Sequence, residues 1–404
     1  MKDVAIVLLG CCLLPHCQVA ADEDQSPKTF RGSLSAVTPE AVGMNSGRLN
    51  VIDRIVAEGL TRARMPGCVV LVGHQGHTVF HKAYGYRQLQ PEKVAMLTDT
   101  VFDLASLTKP VATATSVMSL VEQGKLTLDD AVAAHLPDFA DNGKAGITVR
   151  QLLTHMGGLI PDNSMRDYDD GPAEAMRRVF ALTPTAVPGE KFMYSDVGFI
   201  VLAELVKRIT GEDVHQYSRR VIFGPLQMTE TGFLPTSDLA VRAAVTQQRG
   251  EHWMQGEVHD PRAYALGGIA GHAGLFSTAA DLARYAQAMI NGGILDGVRV
   301  LQPDTVALMR SPVQVSSGLR TPGWDMKSPY SSNRGDLLSA AAFGHGGFTG
   351  TALWIDPDQK LFVVFLSNRV HPDGKGSVNA LAGRICTVAA SAVGCAKTDN
   401  RVSR

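Results

Sequence analysis

The chain has 404 residues, 45% hydrophobic and 19% charged, enough material for an ordinary globular core. Its 38 basic and 39 acidic residues leave a net charge of −1, with no run of either sign. That balance excludes the electrostatic footprint of a nucleic-acid binder and a basic patch for a membrane surface, and no apolar run reaches transmembrane length.

Residues 1–21 read as a secretory signal peptide. Lys2 precedes an apolar stretch over 4–14, and Val19-Ala20-Ala21 offers a cleavage site before Asp22-Glu23-Asp24. Leu8-Leu9-Gly10-Cys11 also resembles a bacterial lipobox. Leu13 and Leu14 keep the next residues apolar, however, which favours free export, periplasmic or secreted, over lipid attachment through Cys11. Removal of this segment leaves Cys68, Cys386 and Cys395. Cys68 lies in the apolar run 68–72 and reads as an inert core residue. Cys386 and Cys395 form either one disulfide in an oxidising compartment or two unpaired thiols. Residues 22–40 are polar and read as a flexible lead-in.

Leu49, Ile52, Ile55, Val56 and Leu60 recur at helical spacing behind Ser46, a candidate cap, and Pro66-Gly67 ends that helix. Strands follow over 68–73 and 78–84, joined across Gly76. The middle of the chain reads as helices over 106–123, 149–154, 173–182, 198–209 and 279–290, separated by loops that include 160–172. Pro110 is compatible with the first of these only if the helix begins near Ser106, where a backbone donor is not needed. After a long loop over 311–340 come two strands, 351–355 and 361–366, around the turn Asp356-Pro357-Asp358-Gln359, and a final helix over 377–393. The expected architecture is α+β. An antiparallel sheet built from about 41–100 and 291–395 closes around a helical insertion of about 101–290, all within one domain spanning 41–395, with a tail over 396–404.

Ser106 and Lys109 stand three apart, so on a helix they share a face. A serine is a poor nucleophile at its ordinary pKa, and an amine kept partly neutral in a dry site can take its proton. Near a helix start, backbone N–H groups also favour developing negative charge. Tyr194-Ser195-Asp196 follows the turn Pro188-Gly189, and a phenol there can relay a proton between a hydroxyl and a leaving group. His345-Gly346-Gly347 lets backbone donors approach a ligand closely and offers an imidazole to bind a carboxylate or orient a hydroxyl. His259-Asp260 and His272 lack any metal-ligand spacing and read as structural members of a cleft-lining loop. Asp167, Asp169 and Asp170 read as a solvated loop, and Trp324 either lines the cleft or packs.

In order and spacing these elements resemble the penicillin-recognising serine hydrolases, the class C β-lactamase and DD-peptidase superfamily, where S-x-x-K precedes Y-x-N and then K-T-G or H-x-G. Segments 124–130, 152–159 and 274–282 extend the similarity. The runs 258–260, 271–274, 344–351 and 367–376 are similar to the penicillin-binding-protein-4B-like branch, which includes an exported muropeptide amidase. The resemblance implies a β-lactamase/transpeptidase-like fold, with Ser106 as nucleophile, Lys109 as its base partner and Tyr194 as proton relay. It also implies an oxyanion hole from the backbone N–H groups of Ser106 and Phe348. Asp196, His345, Gly346 and Gly347 would bind substrate, and no metal or organic cofactor is implied. The implied substrate is a muropeptide or other small molecule, cut at the muramyl–L-alanine or the D-Ala-D-Ala bond, with a covalent β-lactam adduct as a further possibility. A carboxylesterase, a weak β-lactamase and a slow-turnover penicillin-binding protein are the alternatives.

The departure from the family pattern is Asp196, where asparagine is usual. A carboxylate cannot donate an amide hydrogen bond to a substrate carbonyl. It is suited instead to holding Lys109 charged or to recognising an amino group. Both weaken the expectation of efficient β-lactam turnover.

Overall fold

The computed structural model describes Met1 and residues 34–394. Residues 2–21 of the expected signal peptide, with Cys11, most of the lead-in, Cys395 and the tail lie outside the described residues. Within the lead-in, Ser35 and Val37 exchange backbone hydrogen bonds with Thr78 on the sheet, so its described residues 34–40 are held in place where a flexible segment was expected.

A nine-stranded antiparallel sheet forms the centre. Its strands in chain order are β1 (Gly67–His74), β2 (His77–Gln88), β3 (Val94–Ala95), β4 (Val313–Val315), β5 (Gly318–Arg320), β6 (Asp325–Lys327), β7 (Phe343–Gly347), β8 (Thr351–Asp356) and β9 (Leu361–Ser367). They lie in the spatial order β4-β5-β6-β7-β8-β9-β1-β2-β3, so C-terminal strands flank the N-terminal hairpin. Cys68 pairs with Ser367 and His74 with Leu361, which fixes the register of β1 on β9.

The alternation of a strand sends successive side chains to opposite faces, and here both faces are covered. Val69, Leu71, Leu353, Ile355, Phe362, Val364 and Leu366 enter one core together with the helices of the middle segment. Cys68, Val70, Val72, Ala352, Trp354, Leu361, Val363 and Phe365 enter a second core beneath α1 (Val51–Thr61) and the C-terminal helix Asn379–Ala392. Burial on both sides is why these strands read as continuous apolar runs, each large side chain contributing about 1.5–3 kcal/mol. The first predicted helix is divided: Asn45, not Ser46, caps a single turn Ser46–Leu49, and α1 resumes after Asn50.

The helical segment supplies α2 (Thr115–Glu122), α3 (Val149–Leu153), α4 (Pro172–Phe180), α5 (Asp196–Thr210) and α6 (Ala279–Ile290), close to the predicted bounds; the C-terminal helix is α7. The stretch predicted as one helix over 106–123 begins instead as a 3₁₀ turn, Ala105–Leu107, and a π-helical stretch, Lys109–Ala114. Gly124 then adopts φ +66 as the predicted stop. The 311–340 region is not a long loop: β4, β5, β6 and a 3₁₀ turn occupy it. Strands of three residues are too short for a periodic signal. Trp324 is fully buried against Tyr285 and Phe343, so it packs and does not line the cleft. Of the acidic residues in 160–172, Asp170 pairs with Arg178 and Asp167 accepts a hydrogen bond from Asn163. No helix among the described residues is long and apolar enough to cross a membrane.

Cys68 and Cys386 are buried, and burial pushes both thiols up, Cys386 to about 12. Neither is expected to react with a maleimide in the native protein, and both are expected to react after denaturation. Peptide mapping of the labelled protein checks this; stoichiometric native labelling at either position would contradict the packing.

Candidate active site

The site forms where β7 meets the start of the helical segment. Phe102–Asp103 pairs with Leu275–Ser277 in a small separate sheet, and the chain then turns sharply to present Ser106. Ala105 sits at φ +46, a left-handed conformation that costs a non-glycine residue about 1 kcal/mol or more. Asp103 holds it there: Oδ1 accepts from the backbone N–H of Ala105 at 2.8 Å, and Oδ2 accepts from that of His259 at 2.7 Å.

Lys109 is fully buried and donates to Ser106 Oγ and to the carbonyl of His272, both at 3.0 Å. Its Nζ lies 2.5 Å from Asp196 Oδ1. Burial alone would push this ammonium down, but the Asp196 carboxylate and the Tyr194 phenol outweigh it, and the net shift is upward. The amine is therefore dry, as the sequence suggests, yet held charged. Asp196 opens α5 behind the cap Ser195, so the helix N-terminus also favours its negative charge.

Tyr194 comes from the loop before α5; its ring centroid lies 5.0 Å from Lys109 Nζ, and it lines the same cavity as Ser106. Burial raises this phenol despite the nearby ammonium, so it rests neutral. Its ring is clamped between His155 (centroids 4.4 Å apart) and Tyr330 (4.8 Å). His155 Nδ1 accepts from the backbone N–H of Ser195 at 3.0 Å, which fixes the loop.

The opposite wall is β7. Thr349 and Thr351 donate to the carbonyls of Asp103 and Leu104 at 2.7 and 2.9 Å, tying the β7–β8 hairpin onto the turn that carries Ser106. A Cβ on Gly347 would fall 2.3 Å from the Leu104 carbonyl oxygen, so only glycine permits this approach. Phe348 and Ser106 consequently line one cavity of about 410 Å³ together with Tyr194, His345, Gly346 and Gly347. His345 is buried and donates from Nδ1 to the Gly346 carbonyl at 2.7 Å, leaving Nε2 unprotonated; burial, then the charges of Arg320 and Lys109, push it well below the usual histidine range. A second cavity of about 550 Å³ shares Ser106, Tyr194 and Phe348 and adds Asp162, Asp196 and Asp260.

The predicted residues Ser106, Lys109, Tyr194, Asp196, His345, Gly346, Gly347 and Phe348 thus converge from three separate parts of the chain. Asp260 caps the helix Pro261–Ala265 and accepts from His272 Nε2 at 2.9 Å, in the cleft-lining loop foreseen for it. One ligand atom each of Asp196, Asp260 and His272 lies within 4.8 Å of the others. Asp196 Oδ1 already faces Lys109, and Asp260 Oδ1 accepts from the backbone N–H groups of Arg262 and Ala263 and from His272 Nε2. His155, Tyr330, Asn333 and Arg369 also shape the site; His155 and Arg369 fall within the family-like runs 152–159 and 367–376 without having been marked as site residues, and no motif singles out Tyr330 or Asn333.

A mixed helix–sheet body, with a serine and a buried lysine at a helix start facing a glycine-rich strand, defines a serine hydrolase of the penicillin-recognising type. Comparison with known proteins gives the family: residues 52–385 match the family described as Beta-lactamase, and the chain belongs to it. A protein of Escherichia coli O157:H7, provisionally named a D-alanyl-D-alanine carboxypeptidase, is 32% identical over 379 residues, covering 84% of this chain and 86% of that protein. A penicillin-binding protein homologue from Caulobacter crescentus superposes with a TM-score of 0.69 at 22% identity, over 87% of this chain and 99% of its own. A class C β-lactamase gives 0.69 at 18% identity, over 86% and 96%. These structural likenesses bear out the expected fold.

Proposed function

We propose that this protein is an exported hydrolase that cuts peptidoglycan-derived amide bonds through an acyl-enzyme on Ser106. The observation that carries the proposal is that Lys109 donates to Ser106 Oγ at 3.0 Å and lies 5.0 Å from the centroid of the Tyr194 ring, while Ser106 and Tyr194 line one cavity. Ser106 Oγ attacks the amide carbonyl, and its proton passes to the Tyr194 oxygen while Tyr194 gives its own proton to the leaving nitrogen. Lys109, held as an ammonium by Asp196, stabilises the phenolate character that builds on Tyr194 during this exchange. The backbone N–H groups of Ser106 and Phe348 receive the developing oxyanion. Water then cleaves the acyl-enzyme with the relay running in reverse.

The name borne by the 32% identical relative favours the D-alanyl-D-alanine bond over the muramyl–L-alanine bond. The sequence pattern of residues 1–21 supports export. Defined muropeptides ending in D-Ala-D-Ala, incubated with the protein and analysed by mass spectrometry, test the reading. Loss of one alanine is expected, and a freed sugar would assign the amidase bond instead. Intact muropeptides alongside rapid cleavage of short acyl esters would overturn the proposal in favour of a carboxylesterase.

A further inference from the structure

Asp103 stands just ahead of the nucleophile in sequence and is 3% exposed. It lines neither cavity of the site and forms no ion pair among the described residues. Both carboxylate oxygens accept from backbone: Oδ1 from the N–H of Ala105 at 2.8 Å, and Oδ2 from that of His259 at 2.7 Å. Its own carbonyl accepts from the Thr349 hydroxyl at 2.7 Å. One residue thus ties together the nucleophile turn, the cleft-lining loop and the β7–β8 hairpin.

These ties lead to both backbone N–H groups proposed to receive the oxyanion. The bond from Ala105 holds the φ +46 turn that delivers Ser106. Thr349 directly follows Phe348, and the His259 ring stacks on the Phe348 ring with centroids 5.7 Å apart and planes at 27°. The Arg369 guanidinium, 4.4 Å from the same ring centroid, donates from Nε to the Phe348 carbonyl.

An ionised carboxylate accepts through both oxygens. A protonated one keeps one good acceptor and offers the other N–H a hydroxyl, so a charge-assisted bond is lost. Burial pushes Asp103 up to about 6 against its two N–H bonds; the charge of Asp260 adds to the rise and Arg249 opposes it. The titratable and charged groups around it are therefore His259 and Asp260 of the cleft-lining loop and Arg249, which pairs with Glu257. Thr349 of the hairpin and Phe276, opposite Asp103 in the small sheet, bring none. Burial holds His259 down at about 4, so its ring stays neutral where Asp103 titrates.

We propose that Asp103 is a positioning residue of the oxyanion hole: ionised, it aligns the N–H groups of Ser106 and Phe348 together, and its protonation loosens the hole and shuts acylation down in acid. It touches no substrate. The proposal rests on the acyl-enzyme reading above and adds the residue that sets its acid limit.

The test uses a short-chain thioester and a small arylboronic acid, which forms a tetrahedral adduct on a serine without turnover. In the wild type, kcat for the thioester is expected to fall about tenfold per pH unit below about pH 6, with KM steady. Asp103→Asn sets an amide N–H₂ against one of the two backbone donors and so copies the protonated state at every pH. It is expected to lower kcat at pH 7.5 about 30-fold, less than outright removal of an oxyanion donor costs, with KM changed less than twofold. The acid limb near pH 6 should vanish, and the boronate Kd should rise about as much as kcat falls. A merely structural role would lower the active fraction and leave the shape of the pH profile and the boronate Kd of the folded protein unmoved. An acid limb that persists in soluble Asp103→Asn overturns the proposal, as does a loss carried by KM alone. Should that variant fail to fold, the wild type decides, since a kcat flat between pH 5 and 7 is equally fatal. Ser106→Ala run alongside keeps the two readings apart. Thioester turnover that survives it sinks the acyl-enzyme reading, whereas Ser106-dependent turnover without the predicted acid limb sinks only the role of Asp103.

Discussion

Ser106→Ala is expected to lower kcat/KM for every amide or ester substrate by about 10⁴-fold or more, while the protein stays folded. The loss is large because the covalent route disappears whole: Lys109, Tyr194 and the oxyanion donors remain, but nothing is left for them to activate. Stability should change by less than about 1 kcal/mol. Lys109 keeps its contacts to the His272 carbonyl and to Asp196, and the hydroxyl removed lies beside an open cavity. Steady-state kinetics and a thermal melt on one preparation check both halves. Unchanged turnover in a folded variant would remove Ser106 from the mechanism.

Asp196→Asn restores the asparagine usual in the family and is expected to change both stability and pH dependence. In the wild type the carboxylate more than cancels the effect of burial on Lys109, so this ammonium titrates above its ordinary value. A lysine raised in the folded state contributes stability that is fully present below its unfolded pKa of about 10.4 and is lost as pH rises through the folded value. Without Asp196, burial is left to act alone, and a charged amine in a dry site loses its counterion. The variant should therefore lose about 3 kcal/mol at neutral pH, with the deficit shrinking as pH rises and Lys109 sheds its proton. Lys109 would then be a neutral amine over part of the accessible pH range. The basic limb of acylation should move to lower pH, and β-lactam acylation should speed up, because the amide restores a donor toward the substrate carbonyl. Denaturant melts at pH 6 and pH 9 and a pH–rate profile measure these effects; coincident profiles for the two proteins would sever Lys109 from Asp196.

The residues proposed to carry the chemistry were largely legible in the sequence, and the reason is local. Ser106 and Lys109 are fixed by a single turn, and Tyr194 with Asp196 by one loop-to-helix junction, so short motifs encode them. The central strands were legible because burial on both faces writes itself as unbroken apolar runs such as 68–72 and 361–366. The edge of the sheet was not. β4, β5 and β6 hold three residues each, and β7 contains three glycines, so neither period nor propensity marks them. That edge carries Arg320, Asp325 and His345, which is why the electrostatics of the wall emerge only from the folded structure. The charge state of Lys109 was legible only as one of two alternatives: Asp196 in place of asparagine suggested a carboxylate holding the amine charged or recognising an amino group, and the 2.5 Å contact between them favours the first.

Formation of a covalent acyl-enzyme at Ser106 is the central claim, and intact-protein mass spectrometry after brief exposure to a penicillin or a thioester substrate tests it most directly. A single adduct of the acyl mass, mapped to the peptide containing Ser106 and missing in Ser106→Ala, is the predicted result. Turnover of that same compound with no adduct at any quench time, or an adduct mapped to another residue, would contradict the account.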